Sequence, residues 1–255
     1  MKDWEQENRL VEARGLVKSY GKTLAVDHVS FQVQRGEILG ILGPNGAGKT
    51  TTLHMLLGLL LPTFGEIVVF GRSPFKERTA ISRYVNFSSA YGNLPFNLTV
   101  TENLYTFSRL YSVPHFRKKT AELLDQFEMI HLKDRLTGAL SSGERSKLNL
   151  IKSLLNDPLL LILDEPTANL DPDMADKVRK MLKKIQRERR IGMVYTSHNM
   201  EEVEALCDNV LFINHGKPIA EGSPQQIREA FSSHSLAQVF IKIARSGDMI
   251  ASEEP

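Results

Sequence analysis

The chain has 255 residues, enough for one large α/β domain or two small subdomains. Its 42% hydrophobic and 24% charged residues allow a sizeable core, and a net charge of +2 gives no basic face of the kind that nucleic acid requires. The single cysteine, Cys207, excludes an internal disulfide and reads as a small buried apolar side chain.

The opening residues Met1 to Glu7 are polar and acidic, without the apolar stretch of a signal peptide. From there short apolar runs alternate with helical patterns, the mark of a largely parallel α/β sheet. Glu37 to Leu42 reads as a buried strand. Thr50 to Leu61 reads as a helix that starts inside a glycine-rich loop. Its apolar run Met55 to Leu61 stops at Pro62, and no window reaches the ~18 apolar residues of a spanning helix. Any membrane role is therefore expected to come through a separate partner chain. Glu66 to Gly71 reads as another strand. Residues 92–157 lack a convincing strand and are rich in helix formers, with apolar spacing in Thr101 to Phe107 and Thr120 to Phe127, so they are read as an inserted helical subdomain. Leu159 to Leu163 is apolar on both faces and is the clearest buried strand. Gly192 to Ser197 and Asn209 to Ile213 read as two more. The main domain is placed at 8–225 and a C-terminal helical tail at 226–255. The tail carries an apolar stripe at Leu236, Val239, Phe240 and Ile243, and Gly247 to Pro255 are expected to fray.

Gly43-Pro44-Asn45-Gly46-Ala47-Gly48-Lys49-Thr50 fits G-x-x-x-x-G-K-[ST] in full, after a strand and at the start of a helix. Glycines let backbone N–H groups curl inward onto phosphate oxygens, and the following helix adds its positive end. Lys49 is expected to reach the β- and γ-phosphates and the Thr50 hydroxyl to ligate Mg²⁺, with Thr51 beside them. Asp164 and Glu165 close the apolar run that begins at Leu159. An aspartate at a strand end is placed to hold Mg²⁺, and a second carboxylate can orient or deprotonate a water.

Taken together, these motifs resemble the ATP-binding subunits of ATP-binding cassette (ABC) transporters over residues of roughly 10–245. Leu163-Asp164-Glu165-Pro166-Thr167 looks like the family's Walker B segment, Asn169-Leu170-Asp171 its D-loop, and Thr196-Ser197-His198 its switch-histidine loop. Leu140-Ser141-Ser142-Gly143-Glu144 stands where the family signature L-S-G-G-Q belongs. The resemblance implies a P-loop NTPase core of the RecA type, α/β and mostly parallel, with an antiparallel β part and the inserted helical subdomain. It also implies that ATP with Mg²⁺ lies between the P-loop of one cassette and the signature loop of a second, in a homodimer or heterodimer. Glu165 would then be the general base and His198 would hold the γ-phosphate. Ser141 and Gly143 would touch the partner's ATP, and Tyr20 would stack on adenine. Tyr20 alone also reads as an exposed strand residue, His198 as a strand-end histidine, and Asp171 as a turn residue before Pro172.

Two departures stand out. The family's glutamine near residues 85–90 is absent, and Ser88 or Ser89 takes its place as a possible Mg²⁺ or water ligand. That shorter side chain predicts hydrolysis that is slow or strongly dependent on the membrane partner. The signature has Ser142 for glycine and Glu144 for glutamine. Ser141 to Glu144 is also a capping box for the helix carrying Leu148, Ile151 and Leu155. The function expected is an ATPase on the cytoplasmic face of the cell membrane, driving export through a separate permease. The tail from Ser235 to Lys242, similar to that of ABC-2 type exporter cassettes, favours export. An importer ATPase, a soluble ABC ATPase and a weakly hydrolysing regulatory cassette are the alternatives.

Overall fold

The computed structural model describes residues 8–89, 92 and 94–251, with side chains described as far as Ile243. Met1 to Glu7, Ala90 and Tyr91 of the glutamine-less segment, and the last four residues of the stretch expected to fray lie outside it.

Nine strands and nine helices are described. The strands are β1 (Arg9–Tyr20), β2 (Thr23–Gln34), β3 (Ile38–Leu42), β4 (Phe64–Val69), β5 (Val85–Ser89), β6 (Leu160–Asp164), β7 (Gly192–Thr196), β8 (Asn209–Asn214) and β9 (Lys217–Gly222). The helices are α1 (Lys49–Leu56), α2 (Arg78–Ile81), α3 (Val100–Leu110), α4 (Phe116–Gln126), α5 (Ser142–Leu154), α6 (Pro172–Arg189), α7 (Met200–Leu206), α8 (Pro224–Ala230) and α9 (Leu236–Ala251). A six-stranded sheet has the order β5-β6-β7-β3-β8-β9, parallel except for β9 against β8. A second, antiparallel sheet has the order β2-β1-β4.

The central strands are apolar throughout because both faces are covered. Alternate residues serve two cores. Ile38 and Leu42, Leu161 and Leu163, and Met193 and Tyr195 face the helical layer with α5, α6, α7 and α9. Leu39 and Ile41, Leu160 and Ile162, and Val194 face the antiparallel sheet and α1. The period-two alternation of side chains makes each strand a two-sided wedge between these layers.

Several boundaries differ from expectation for local reasons. Helix α1 ends at Leu56, five residues early, because Gly58 turns left-handed at φ +66°. The Leu59 N–H then bonds the His54 carbonyl and the Gly58 N–H bonds that of Met55, a Schellman end. Between β5 and β6 the described residues form α3, α4, α5 and 3-10 turns at Ile130–Leu132 and Thr137–Ala139, with one isolated bridge between Thr99 and Leu136. Helix α8 begins at Pro224, two residues before the position placed as the start of the tail. Leu236, Val239 and Ile243 of α9 join the same core as Val210 and Phe212 of β8, and Asn214 bonds the Ile243 carbonyl. Helix α9 continues through Gly247 to Ala251, where fraying was expected. No helix among the described residues is long and apolar enough to cross a membrane.

Candidate functional site

Strand β3 ends at Leu42 in the middle of the six-stranded sheet, and the chain turns through Gly43 to Gly48 into α1. Two positions admit only glycine. A Cβ on Gly43 (φ +157°) would lie 2.1 Å from the Ile213 carbonyl oxygen, and one on Gly48 (φ +102°) 2.3 Å from that of Ala25. Helix α1 has no side-chain cap and no acidic residue in its first turn. Its N-terminal N–H groups and positive dipole end are thus left for an external anion. Lys49 is buried and its Nζ donates to the carbonyls of Gly43 at 2.7 Å and Pro44 at 3.0 Å. Burial pulls its pKa below the usual lysine value, and the nearby Glu165 and Asp164 carboxylates oppose that shift.

Four strand ends of the parallel sheet meet at this loop, where ligands bind in open α/β sheets. Ser89 of β5 pairs with Asp164 of β6, and Asp164 pairs with Thr196 of β7. An open cavity of about 680 Å³ lies here, walled by Asn45 to Thr51, Ser89, Asp164 and Glu165. The P-loop and the two acids expected at the site are therefore together. Of the two serines, Ser89 lines the cavity, while Ser88 on the opposite face of β5 is buried and does not.

The acids are held by a hydroxyl that the sequence reading placed only within the histidine loop. Thr196 Oγ1 donates to Asp164 Oδ1 at 2.7 Å and accepts the Glu165 N–H at 3.1 Å. Glu165 has a left-handed backbone (φ +50°), which swings its side chain out of the strand direction, and its N–H also bonds the Thr196 carbonyl. Its Oε1 lies 3.0 Å from His198 Nδ1. The Glu165 side chain is 17% exposed and that of His198 63% exposed. Glu165 stands at the rim between the phosphate cavity and a second cavity, which His198 lines with Leu170, Pro172 and Ser197. His54 of α1 also lines the first cavity, and no sequence signal marked it.

Four predicted contacts, Tyr20, Ser141, Gly143 and Asp171, are not brought to the cavity. Tyr20 ends β1, half-exposed, with the Lys18 ammonium 5.4 Å from its ring centre. Ser141 and Gly143 sit at the start of α5. Ser141 accepts the Glu144 N–H at 3.2 Å, and Glu144 Oε2 accepts the Ser141 N–H at 2.6 Å, the expected capping box. A Cβ on Gly143 would touch Leu170 at 3.4 Å, so this loop packs beside the Asn169 to Asp171 turn of its own chain. Asp171 caps α6, accepting the Met174 N–H at 3.0 Å with Pro172 in the first turn.

Among the described residues no group of three or more His, Cys, Asp or Glu side chains is placed to hold a metal alone. The cavity instead offers one strand-end aspartate with the Thr50 and Ser89 hydroxyls. That sparse oxygen set suits Mg²⁺, which keeps waters and substrate phosphates as its other ligands.

A family model described as ABC transporter matches residues 26–168. The chain is 39% identical over 221 residues to the Nod factor export ATP-binding protein I of Ralstonia nicotianae, covering 86% of this chain and 68% of that one. It is 37% identical over 233 residues to the daunorubicin/doxorubicin resistance ATP-binding protein of Streptomyces peucetius, covering 91% and 70%. A solved ATP-binding subunit of an ABC transporter superimposes with a TM-score of 0.85 at 25% identity, covering 92% of this chain and 99% of that one.

Proposed function

The chain belongs to the ABC transporter ATP-binding subunits, and from that premise we propose that it powers export through a separate membrane permease, working in pairs of cassettes that close on ATP. Membership makes it an ATP-binding protein and an ATPase. The export reading draws on the relatives, one named for Nod factor export and one for daunorubicin/doxorubicin resistance. The chain would work peripherally, on the cytoplasmic face of the membrane, with no role for nucleic acid.

One observation carries the paired mechanism. Lys49, Asp164 and Glu165 line one cavity, with His198 3.0 Å from Glu165, whereas Ser141 and Gly143 lie apart from it. A signature loop that cannot serve its own nucleotide is suited to serve another's. In this reading the triphosphate rests on the N–H groups from Gly46 to Thr51. Lys49 exchanges its two carbonyl partners for phosphate oxygens. Asn45 and Ala47, with Gly43 and Pro44, shape the loop, and Tyr20 stacks on adenine once nucleotide is present. Thr50, Ser89 and Asp164 are the residues that would hold Mg²⁺, which when bound would neutralise charge on the phosphate oxygens.

Glu165 takes the proton of the attacking water as its oxygen bonds to the γ-phosphorus, while the P–O bond to the β-phosphate breaks and ADP leaves with that electron pair. His198, already 3.0 Å from Glu165, faces the γ-phosphate from the rim and steadies the charge that develops there. Two cassettes bind ATP better closed than open, and that difference drives the permease between two states.

The test is turnover with and without the permease in vesicles. Hydrolysis is expected to be slow for the isolated chain, raised by the permease, and lowered ~100-fold or more by Glu165→Gln. Fast turnover by the isolated chain, or an active Glu165→Gln variant, would contradict the reading.

A further inference from the structure

We propose that Glu202 is a positioning residue for hydrolysis, a buried carboxylate that ties the Glu165 segment to the His198 turn. The inference rests on the assignment of Glu165 and His198 to the reaction.

Glu202 lies in α7 and is 4% exposed, inside the wall of the second cavity. Its Oε2 accepts three hydroxyl hydrogen bonds, from Thr167 Oγ1 at 2.7 Å, Tyr195 Oη at 3.1 Å and Ser197 Oγ at 3.2 Å. Its Oε1 faces the Arg179 guanidinium of α6 at 3.7 Å. Thr167 is two residues beyond Glu165, and Ser197 immediately precedes His198. The hub therefore joins the two segments whose side chains meet at the rim.

The connection to His198 is more specific than shared packing. Ser197 Oγ donates to Glu202 and accepts the Asn199 N–H at 3.0 Å, so one hydroxyl brackets His198 on both sides. Asn199 in turn caps α7 by accepting the N–H groups of Glu201 and Glu202. The donors stay donors. Burial, then the charge of Glu202, holds the Tyr195 phenol above its usual pKa.

Only an ionised carboxylate offers lone pairs for three hydroxyls and a guanidinium with no hydrogen of its own. A glutamine would keep one acceptor oxygen but turn an NH₂ group toward one of these donors. An alanine would leave the buried Ser197 hydroxyl without its acceptor and the Thr167 and Tyr195 hydroxyls, 3.2 Å apart, with only each other. A hub that only braced the fold would affect all steps alike. A hub that sets the angle of His198 against Glu165 affects turnover, because a displacement of about 1 Å can cost ~100-fold in rate.

The experiment compares Glu202→Ala, Glu202→Gln, His198→Ala and the Glu202→Ala/His198→Ala double variant of the full chain with its permease. It reads kcat, ATP affinity from a fluorescent ATP analogue, and Tm. Glu202→Ala is expected to lower kcat ~10-fold or more with ATP affinity within ~2-fold, and Glu202→Gln to recover part of that loss. The double variant is expected to match His198→Ala within ~2-fold, since positioning a missing side chain adds nothing. If Glu202→Ala yields too little folded protein, Glu202→Gln replaces it in the cycle. Multiplying losses in the double variant, loss of ATP affinity in parallel with kcat, or unchanged kcat in both Glu202 variants would overturn the proposal. Unchanged turnover in His198→Ala would instead overturn the assignment on which it rests.

Discussion

Thr196→Val removes one hydroxyl from the site and keeps the side chain's branching and volume. Thr196 is fully buried at the end of β7, and valine suits a strand, so packing and backbone preference change little. Its hydroxyl donates to Asp164 at 2.7 Å and accepts the Glu165 N–H at 3.1 Å. The Glu165 N–H retains its second bond, to the Thr196 carbonyl at 3.1 Å. The net loss is therefore one hydrogen bond to a carboxylate, about 1.5–3 kcal/mol. For a chain of this size that lowers Tm by about 3–6 °C. Turnover at saturating Mg²⁺ and ATP should fall as well, because the two acids lose their shared tether. Thr196→Ser keeps the hydroxyl and drops a methyl group, at a cost of about 0.5–1.5 kcal/mol. Thermal melts by circular dichroism and a phosphate-release assay decide it. A valine variant as stable and active as the parent, or a serine variant less stable than the valine one, would refute the reasoning.

The remaining predictions concern the loop and the signature helix. Gly48→Ala puts a Cβ 2.3 Å from the Ala25 carbonyl oxygen at φ +102°, whereas Gly46→Ala (φ +80°) meets nothing within 4 Å. Gly46→Ala should thus cost only backbone strain, about 1–3 kcal/mol, and Gly48→Ala more than that together with ATP binding. Equal melting temperatures for the two would contradict the close approach. The Ser141 N–H, above all, holds the Glu144 carboxyl below its usual value of 4.5. A depressed folded-state pKa gives stability that is present above the unfolded value and lost as pH falls through the folded one. Glu144→Gln should therefore flatten the decline in stability below about pH 4.5, as read by urea midpoints; an unchanged acid limb would count against the cap. The same substitution removes a charge from the signature loop and should tighten ATP-induced pairing, and unchanged or weaker pairing by light scattering would count against that.

What was legible in the sequence was local. The P-loop, the apolar runs of β3 and β6 and the capping box at Ser141 and Glu144 are each written within a few neighbouring residues, and the structure has them in place. Of the long pair β1 and β2, the sequence marks only a strand-like stretch around Tyr20. Register shifts around Gly15 break the pair's alternation, and nine of its 24 residues are exposed. Strand β9 is a polar edge, Lys217-Pro218-Ile219-Ala220-Glu221-Gly222, with little apolar pattern to find. The choice between Ser88 and Ser89 needed the face of β5, which register against β6 supplies. The Thr196 bridge joins positions 32 residues apart, and only the pairing of β6 with β7 brings them together. His198 was suspected by motif, and its contact with Glu165 depends on that same pairing.

The central claim is that one chain holds the phosphate site and a second completes it. Light scattering of the Glu165→Gln chain, which is expected to bind ATP without consuming it, tests this most directly. With Mg²⁺ and saturating ATP a mass twice that of the monomer is expected, reverting to one chain with ADP or when Lys49→Ala is added. A monomer at saturating ATP, or a dimer that ignores the nucleotide, would contradict it.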